Sequence, residues 1–160
     1  MTESVVSAVF RYCLCTTVAQ QALKNLLEGP GGGKYKDSHP WLVAQEFQQT
    51  ARANEKLLPI LFATGSPAQF SHWAFIDDLS VIELHRNSYE SLCEFSRLEP
   101  VNPIWTDLDT VFLKPSKEQL QREVLEDIHQ HRYPLTEGEI HPYAICETPP
   151  FILQYGQVHD

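Results

Sequence analysis

The stretch from Leu57 to Leu84, LLPILFATGSPAQFSHWAFIDDLSVIEL, constrains this chain more than any other. Leu57–Ala63 is a short apolar run between Glu55–Lys56 and Thr64–Gly65–Ser66–Pro67. A run of that length bounded by turn residues suits a buried strand better than a helix. Pro59 has no N–H to give a ladder, which places it near the strand start or on an edge. Gly65–Ser66–Pro67 supplies a turn, glycine by permitting positive φ and proline by presetting its own. Phe70–Ile76 reads as a second strand rich in aromatics. Asp77–Asp78 interrupts it, and Leu79–Leu84 reads as a third. Apolar residues fall on both faces of these strands, so the sheet they form is expected to be covered on both sides.

The flanks supply the covering layers. Val6, Ala8, Phe10, Tyr12 and Leu14 alternate with Ser7, Arg11 and Cys15, which predicts a strand over Val5–Leu14. Val18, Ala19, Ala22, Leu23, Leu26 and Leu27 then recur at helical spacing, predicting a helix over Thr17–Glu28. Gly29–Gly33, GPGGG, ends it and opens a loop through Lys34–Tyr35–Lys36–Asp37. Ser38 reads as an N-cap, with Pro40 in the first turn of a helix over His39–Ala53. Asn87 followed by Glu90 has the spacing of a capped short helix running to Phe95. Pro100 and Pro103 imply a loop. Ile104–Trp105 and Thr110–Leu113 are short strand candidates. Ser116 and Gln119 form a capping box opening a helix over Lys117–His131, with Leu120, Val124, Leu125 and Ile128 as its apolar face. Tyr143–Cys146, extending to Glu147, closes the list of strands. The expected fold is α+β, one domain over residues 1–160, with a small mixed sheet or barrel flanked by helices.

Charge narrows the function classes. The chain carries a formal charge of -9, and nearly all of it lies in one half. Residues 1–75 hold six Lys/Arg and five Asp/Glu, whereas residues 76–160 hold six and sixteen. A general, salt-driven nucleic-acid binder is basic, so any such contact here must be local and belongs in the first half. The acidic half suits a soluble surface or a basic protein partner. No apolar run approaches the roughly 20 residues of a membrane helix, and no basic segment precedes the first apolar stretch as in a signal peptide. Cys13, Cys15, Cys93 and Cys146 make no CxxC pair and read as reduced, buried thiols of a cytoplasmic protein.

Chemistry-bearing residues are present without a decisive signature. Seven histidines show no HExxH and no metal-ligand spacing, so neither a metal nor a cofactor is expected. Gly33–Lys34 lacks the Ser or Thr of a phosphate-binding loop. Asp77–Asp78 point to opposite faces if extended, while Asp107 and Asp109 could converge. Cys13 and Cys93 are potential nucleophiles or simply packing residues. Ser71–His72–Trp73 places a hydroxyl, an imidazole and an indole on consecutive strand positions after a turn. Trp73 is either a platform for stacking a base or a core residue.

The run Leu57–Ala63, Thr64–Gly65 and Phe70–Ser71–His72–Trp73–Ala74–Phe75–Ile76, in an order of strand, helix, helix and three strands, resembles the PUA-like superfamily. The EVE and ASCH domains are the most similar members. The resemblance implies a small β-barrel flanked by helices and a cleft that recognises RNA or a modified base. It departs from the ASCH pattern G-x-K-x-x-E-x-R, since Gly32–Gly33–Lys34 is followed by Tyr35–Lys36–Asp37–Ser38. Three functions are compatible with these readings. The first is a module binding a nucleotide, modified base or nucleic acid through Lys34, Lys36, Thr64, Ser71, His72 and Trp73. The second is a small hydrolase using Asp or His in the same cleft, and the third an acidic interaction partner.

Overall fold

The computed structural model describes residues 8–28, 33–95, 97–101, 106–126 and 133–155. It is an α+β fold built on one open, mixed sheet. In chain order the elements are β1 (Tyr12–Thr17), α1 (Gln20–Leu27), β2 (Gly33–Asp37), α2 (Leu42–Ala53), β3 (Pro59–Thr64), β4 (Gln69–His85), β5 (Ser88–Phe95), β6 (Glu99–Pro100), β7 (Thr106–Asp107), a 3₁₀ turn (Leu108–Thr110), α3 (Lys117–Glu126), β8 (Ala144–Glu147) and α4 (Pro150–Tyr155). The sheet order is β2-β5-β4-β3-β1-β8, with β6 and β7 added along β4. β1 and β3 run parallel, and every other pairing between these strands is antiparallel. The sheet does not close, so the barrel alternative gives way to the open one.

β4 explains the architecture. The expected break at Asp77–Asp78 is a bulge inside one 17-residue strand. Ile76 pairs with Phe95 and Asp78 with Glu94, leaving Asp77 unpaired in the ladder. The Asp77 carbonyl is taken up instead by Gln48 Nε2 at 3.4 Å and by the Arg52 guanidinium, both from α2. A second bulge lies at Ser71, because His72 pairs with Phe62 and Phe70 with Ala63. One extra residue reverses the alternation, and it puts Phe70 and Trp73 into the same core despite their odd spacing. That core also holds Cys13, Leu61, Cys146 and Ile152. The opposite core gathers Leu14, Ile60, Phe62, Phe95, Trp41 and Leu23. Each large apolar side chain so buried contributes about 1.5–3 kcal/mol, which accounts for a sheet covered on both faces.

Several expected boundaries move, each for a physical reason. The first strand is Tyr12–Thr17, displaced from Val5–Leu14. Residues 1–7 lie outside the described set, and the observed strand is buried on both faces, so alternation did not mark its end. The first helix starts at Gln20, because Thr16 and Thr17 belong to β1, where Thr16 Oγ1 donates to the Pro142 carbonyl at 2.7 Å. The loop expected over Lys34–Asp37 is β2, paired with β5 from Gly33↔Phe95 to Asp37↔Ser91. Gly33 is required there, since a Cβ would sit 2.8 Å from the Phe95 ring. The helix expected after Asn87 is β5. Asn87 adopts φ 62° in the hairpin turn, a left-handed conformation that asparagine tolerates. Ser91, Cys93 and Phe95 then alternate into the core.

Helix α2 starts at Leu42 rather than His39, and Ser38 does not cap it. Thr110 ends a 3₁₀ turn, and Phe112 and Leu113 make only isolated bridges, to Pro134 and Cys146. Ile104–Trp105 and residues 127–131 lie outside the described residues. Ser116 caps α3 as expected, its Oγ accepting from the Gln119 N–H at 3.0 Å. Of the helix's expected apolar face, Leu120 is half-buried while Val124 and Leu125 are 81% and 85% exposed, and Ile128 lies outside the described residues. No described helix is long and apolar enough to cross a membrane.

Candidate functional site

The fold divides the residues singled out from sequence into two groups, Thr64, Ser71, His72 and Trp73 on the paired strands β3 and β4, and Lys34 and Lys36 on β2. Lys34 and Lys36 project from β2, Lys34 Nζ lying 3.9 Å from the Glu94 carboxylate. Among the described residues β2 pairs with β5 alone, and β5 meets β4 only from Ile76 onward. Ser71, His72 and Trp73 lie in the other half of β4. Trp73 is 3% exposed and meets Phe75 edge-to-face at 4.9 Å, so its ring is part of the core. Ser71 is fully buried, with its Oγ 3.0 Å from His72 Nδ1. Burial holds the His72 imidazole below its ordinary pKa. Thr64 is buried at the end of β3, and its Oγ1 has no hydrogen-bond partner among the described residues.

The alternative nucleophiles are buried, and two of the carboxylates, Asp78 and Asp107, have side-chain partners. Cys13, Cys15, Cys93 and Cys146 are all free and buried. Burial pushes the Cys93 thiol up to about 12. It raises Cys15 as well, reinforced by the adjacent Cys13 and Cys146 thiols. Neither is poised as a thiolate. Asp78 faces Arg52 at 3.7 Å, and Asp107 accepts a hydrogen bond from Gln69 Nε2 at 2.7 Å.

A different cluster forms where the parallel strands β1 and β3 end. Asp37, the last residue of β2, turns its carboxylate back over the following loop. It accepts from Trp41 Nε1 at 2.6 Å and from His39 Nδ1 at 3.1 Å, with its second oxygen at 3.2 Å from the same nitrogen. The His39 side chain is 47% exposed while Asp37 is 17% exposed, so the imidazole faces solvent from a half-sheltered carboxylate. The His141 ring meets His39 edge-to-face, 5.6 Å between centroids.

The loop bearing His141 is fastened at several points. Thr16 binds the carbonyl of Pro142, and Tyr143 stacks on Trp41 at 4.5 Å. The Tyr143 hydroxyl accepts from the Ala44 N–H at 3.2 Å, satisfying a first-turn donor of a helix that has no side-chain cap. Tyr35 donates its hydroxyl to the Thr17 carbonyl at 3.1 Å. Burial raises the pKa of both tyrosines above the ordinary value.

His141 opens onto a cleft of about 260 Å³ shared with Thr17, Gly65, Ser66, Ile140 and Glu137. Gly65, at φ 95°, makes a turn that lines it, a conformation that favours glycine. A second hollow of about 350 Å³ shares Ala68 and Glu137 with it and carries Asp107 and Asp109. The cleft lies beyond the carboxyl ends of β1 and β3, the one parallel pair among the named strands. No group of three or more His, Cys, Asp or Glu side chains among the described residues is arranged to hold a metal ion.

Sequence reasoning passed over Asp37, His39, His141 and Glu137. A weak signal was available in Asp37–Ser38–His39–Pro40–Trp41, where carboxylate, imidazole and indole alternate. Comparison with protein-family models, curated proteins and solved structures finds no match.

Proposed function

We propose that this chain is a small hydrolase of the acid–base type, working beside the cleft that His141 lines, with His39 in ring contact with His141. The observation that carries this reading is the Asp37–His39–His141 arrangement at the ends of β1 and β3. A carboxylate accepts only from an N–H, so Asp37 places the His39 proton on Nδ1 and leaves Nε2 with its lone pair. That nitrogen takes a proton from an attacking water, and His141 gives one to the leaving oxygen. The ester bond breaks, water supplies the new hydroxyl, and the two imidazoles exchange protons with solvent between turnovers. The PUA-like resemblance belongs to this proposal as a guide to substrate class. It makes nucleotide phosphate esters and cyclic nucleotides the first compounds to try, beside p-nitrophenyl esters. Turnover by the wild type should fall about 100-fold or more in His39→Ala, within the range for a lost acid or base, with the circular dichroism unchanged. Equal rates in both proteins would reject the reading.

One observation favours a second reading, an interaction protein. Val124 and Leu125 stand exposed on α3, within the acidic half of the chain. A basic, partly apolar partner would suit that surface, and loss of a pulled-down partner in Val124→Asp would support it.

A further inference from the structure

Ser91 is the residue through which β5 reaches the candidate site. It lies opposite Asp37 in the β2–β5 pairing and is 2% exposed. Its hydroxyl donates to the His39 carbonyl at 2.6 Å and accepts from the Trp41 N–H at 2.9 Å. One oxygen therefore holds both ends of the His39–Pro40–Trp41 segment. Pro40 has no N–H of its own to offer the strand. Trp41 in turn fixes the carboxylate that orients the imidazole, through its indole N–H. Every link from the sheet to the His39 ring in this chain of bonds passes through Ser91 or Asp37.

We infer that Ser91 is a positioning residue for His39, resting on the acid–base reading of the site. It sets the backbone on both sides of the ring, so that Nδ1 meets Asp37 and Nε2 faces outward. An isolated neutral imidazole keeps no such fixed tautomer, and a histidine's tautomer is set by the bond its other nitrogen makes. A buried hydroxyl between a carbonyl and an N–H also fills the place that a structural bond alone would fill. The distinguishing readout is thus the tautomer of His39, which loss of stability by itself does not move.

The experiment is long-range ¹H–¹⁵N NMR of the histidine rings above pH 8, on the full chain, in wild type, Ser91→Ala and Ser91→Thr. The wild type should show His39 as the Nδ1–H form. Ser91→Ala should shift it toward Nε2–H, and Ser91→Thr, which keeps the hydroxyl, should restore Nδ1–H. His72, on β4, serves as the internal reference and should not change. Hydrolysis of the active ester should drop about 10- to 100-fold in kcat for Ser91→Ala with KM little altered, the scale of a misplaced catalytic group. If Ser91→Ala fails to fold, Ser91→Thr and Ser91→Cys carry the test. The thiol introduced by Ser91→Cys, a poorer hydrogen-bonding group, should give an intermediate tautomer ratio. An Nδ1–H ring in every variant would overturn the inference. Absence of turnover with the tautomer shift intact would sink the hydrolytic reading and leave the placement of the ring by Ser91 standing.

Discussion

The chain carries nearly the same short sequence twice, Ser71–His72–Trp73 and Ser38–His39–Pro40–Trp41, and uses the two in opposite ways. Both tryptophans are buried, Trp73 at 3% and Trp41 at 1% exposure. In the first, the run lies within a long strand, and a bulge at Ser71 turns Trp73 into the core. His72 is then half-buried and hydrogen-bonded to its own neighbour. In the second, proline keeps the run out of a regular strand or helix, and Asp37 stands just before it. The indole N–H of Trp41 holds that carboxylate, and the imidazole is left outside. The lesson is that the same side chains are packed away or presented according to the backbone that carries them. A strand hides alternate residues, whereas a fastened loop presents them.

The largest effect that would break this comparison is at Trp73. Trp73→Ala should destabilise the fold by about 3–5 kcal/mol through lost transfer energy and a cavity, measured by urea denaturation. A loss of only a few tenths of a kcal/mol, the size of a surface change, would mean that the ring is not core. Trp41→Phe sharpens the contrast. It keeps the apolar body and removes only the bond to the Asp37 carboxylate, so the expected cost is about 1.5–3 kcal/mol, typical of a hydrogen bond to a charged group. It should also loosen His39, seen as a change in the ring's NMR shifts. A neutral Trp41→Phe variant with an unmoved His39 would separate the indole from the site.

The smallest effect concerns His72. Burial lowers its pKa in the folded chain, so the unfolded chain binds the proton more readily. The stability associated with the neutral ring is present above the ordinary histidine value of about 6.5. It is lost as pH falls through the folded value. His72→Gln should therefore flatten the acid limb of the stability curve just below that pH. An unchanged limb would show that His72 is as well solvated folded as unfolded.

The strongest sequence signals were those set by burial. The runs Leu57–Ala63 and Phe70–Ile76 contribute β3 and part of β4 because their apolar residues fit a two-sided sheet, and the expected strand from Tyr143 is β8, Ala144–Glu147, at its edge. Capping chemistry located α3 through Ser116 and Gln119. It misled at Asn87, where the same residue type serves a left-handed hairpin turn. Polar spacing hid β2, since a strand reading GKYKD at an edge looks like a loop until Tyr35 is seen packed on Trp41 and Phe62. The candidate site was not legible for a related reason. His39 and His141 are 102 positions apart, and long-range bonds of Thr16, Tyr143 and Ser91 fasten their loops. Local spacing carries no record of such a contact.

The central claim is that His39 and His141 do chemistry while His72 packs. The most direct measurement compares ester hydrolysis by His39→Ala, His141→Ala and His72→Ala side by side, at matched folded fractions. The account predicts losses of about 100-fold or more at His39 and His141, the range for an absent acid or base, and wild-type rates at His72. Full activity in either of the first two, or a collapse confined to His72→Ala, would contradict it.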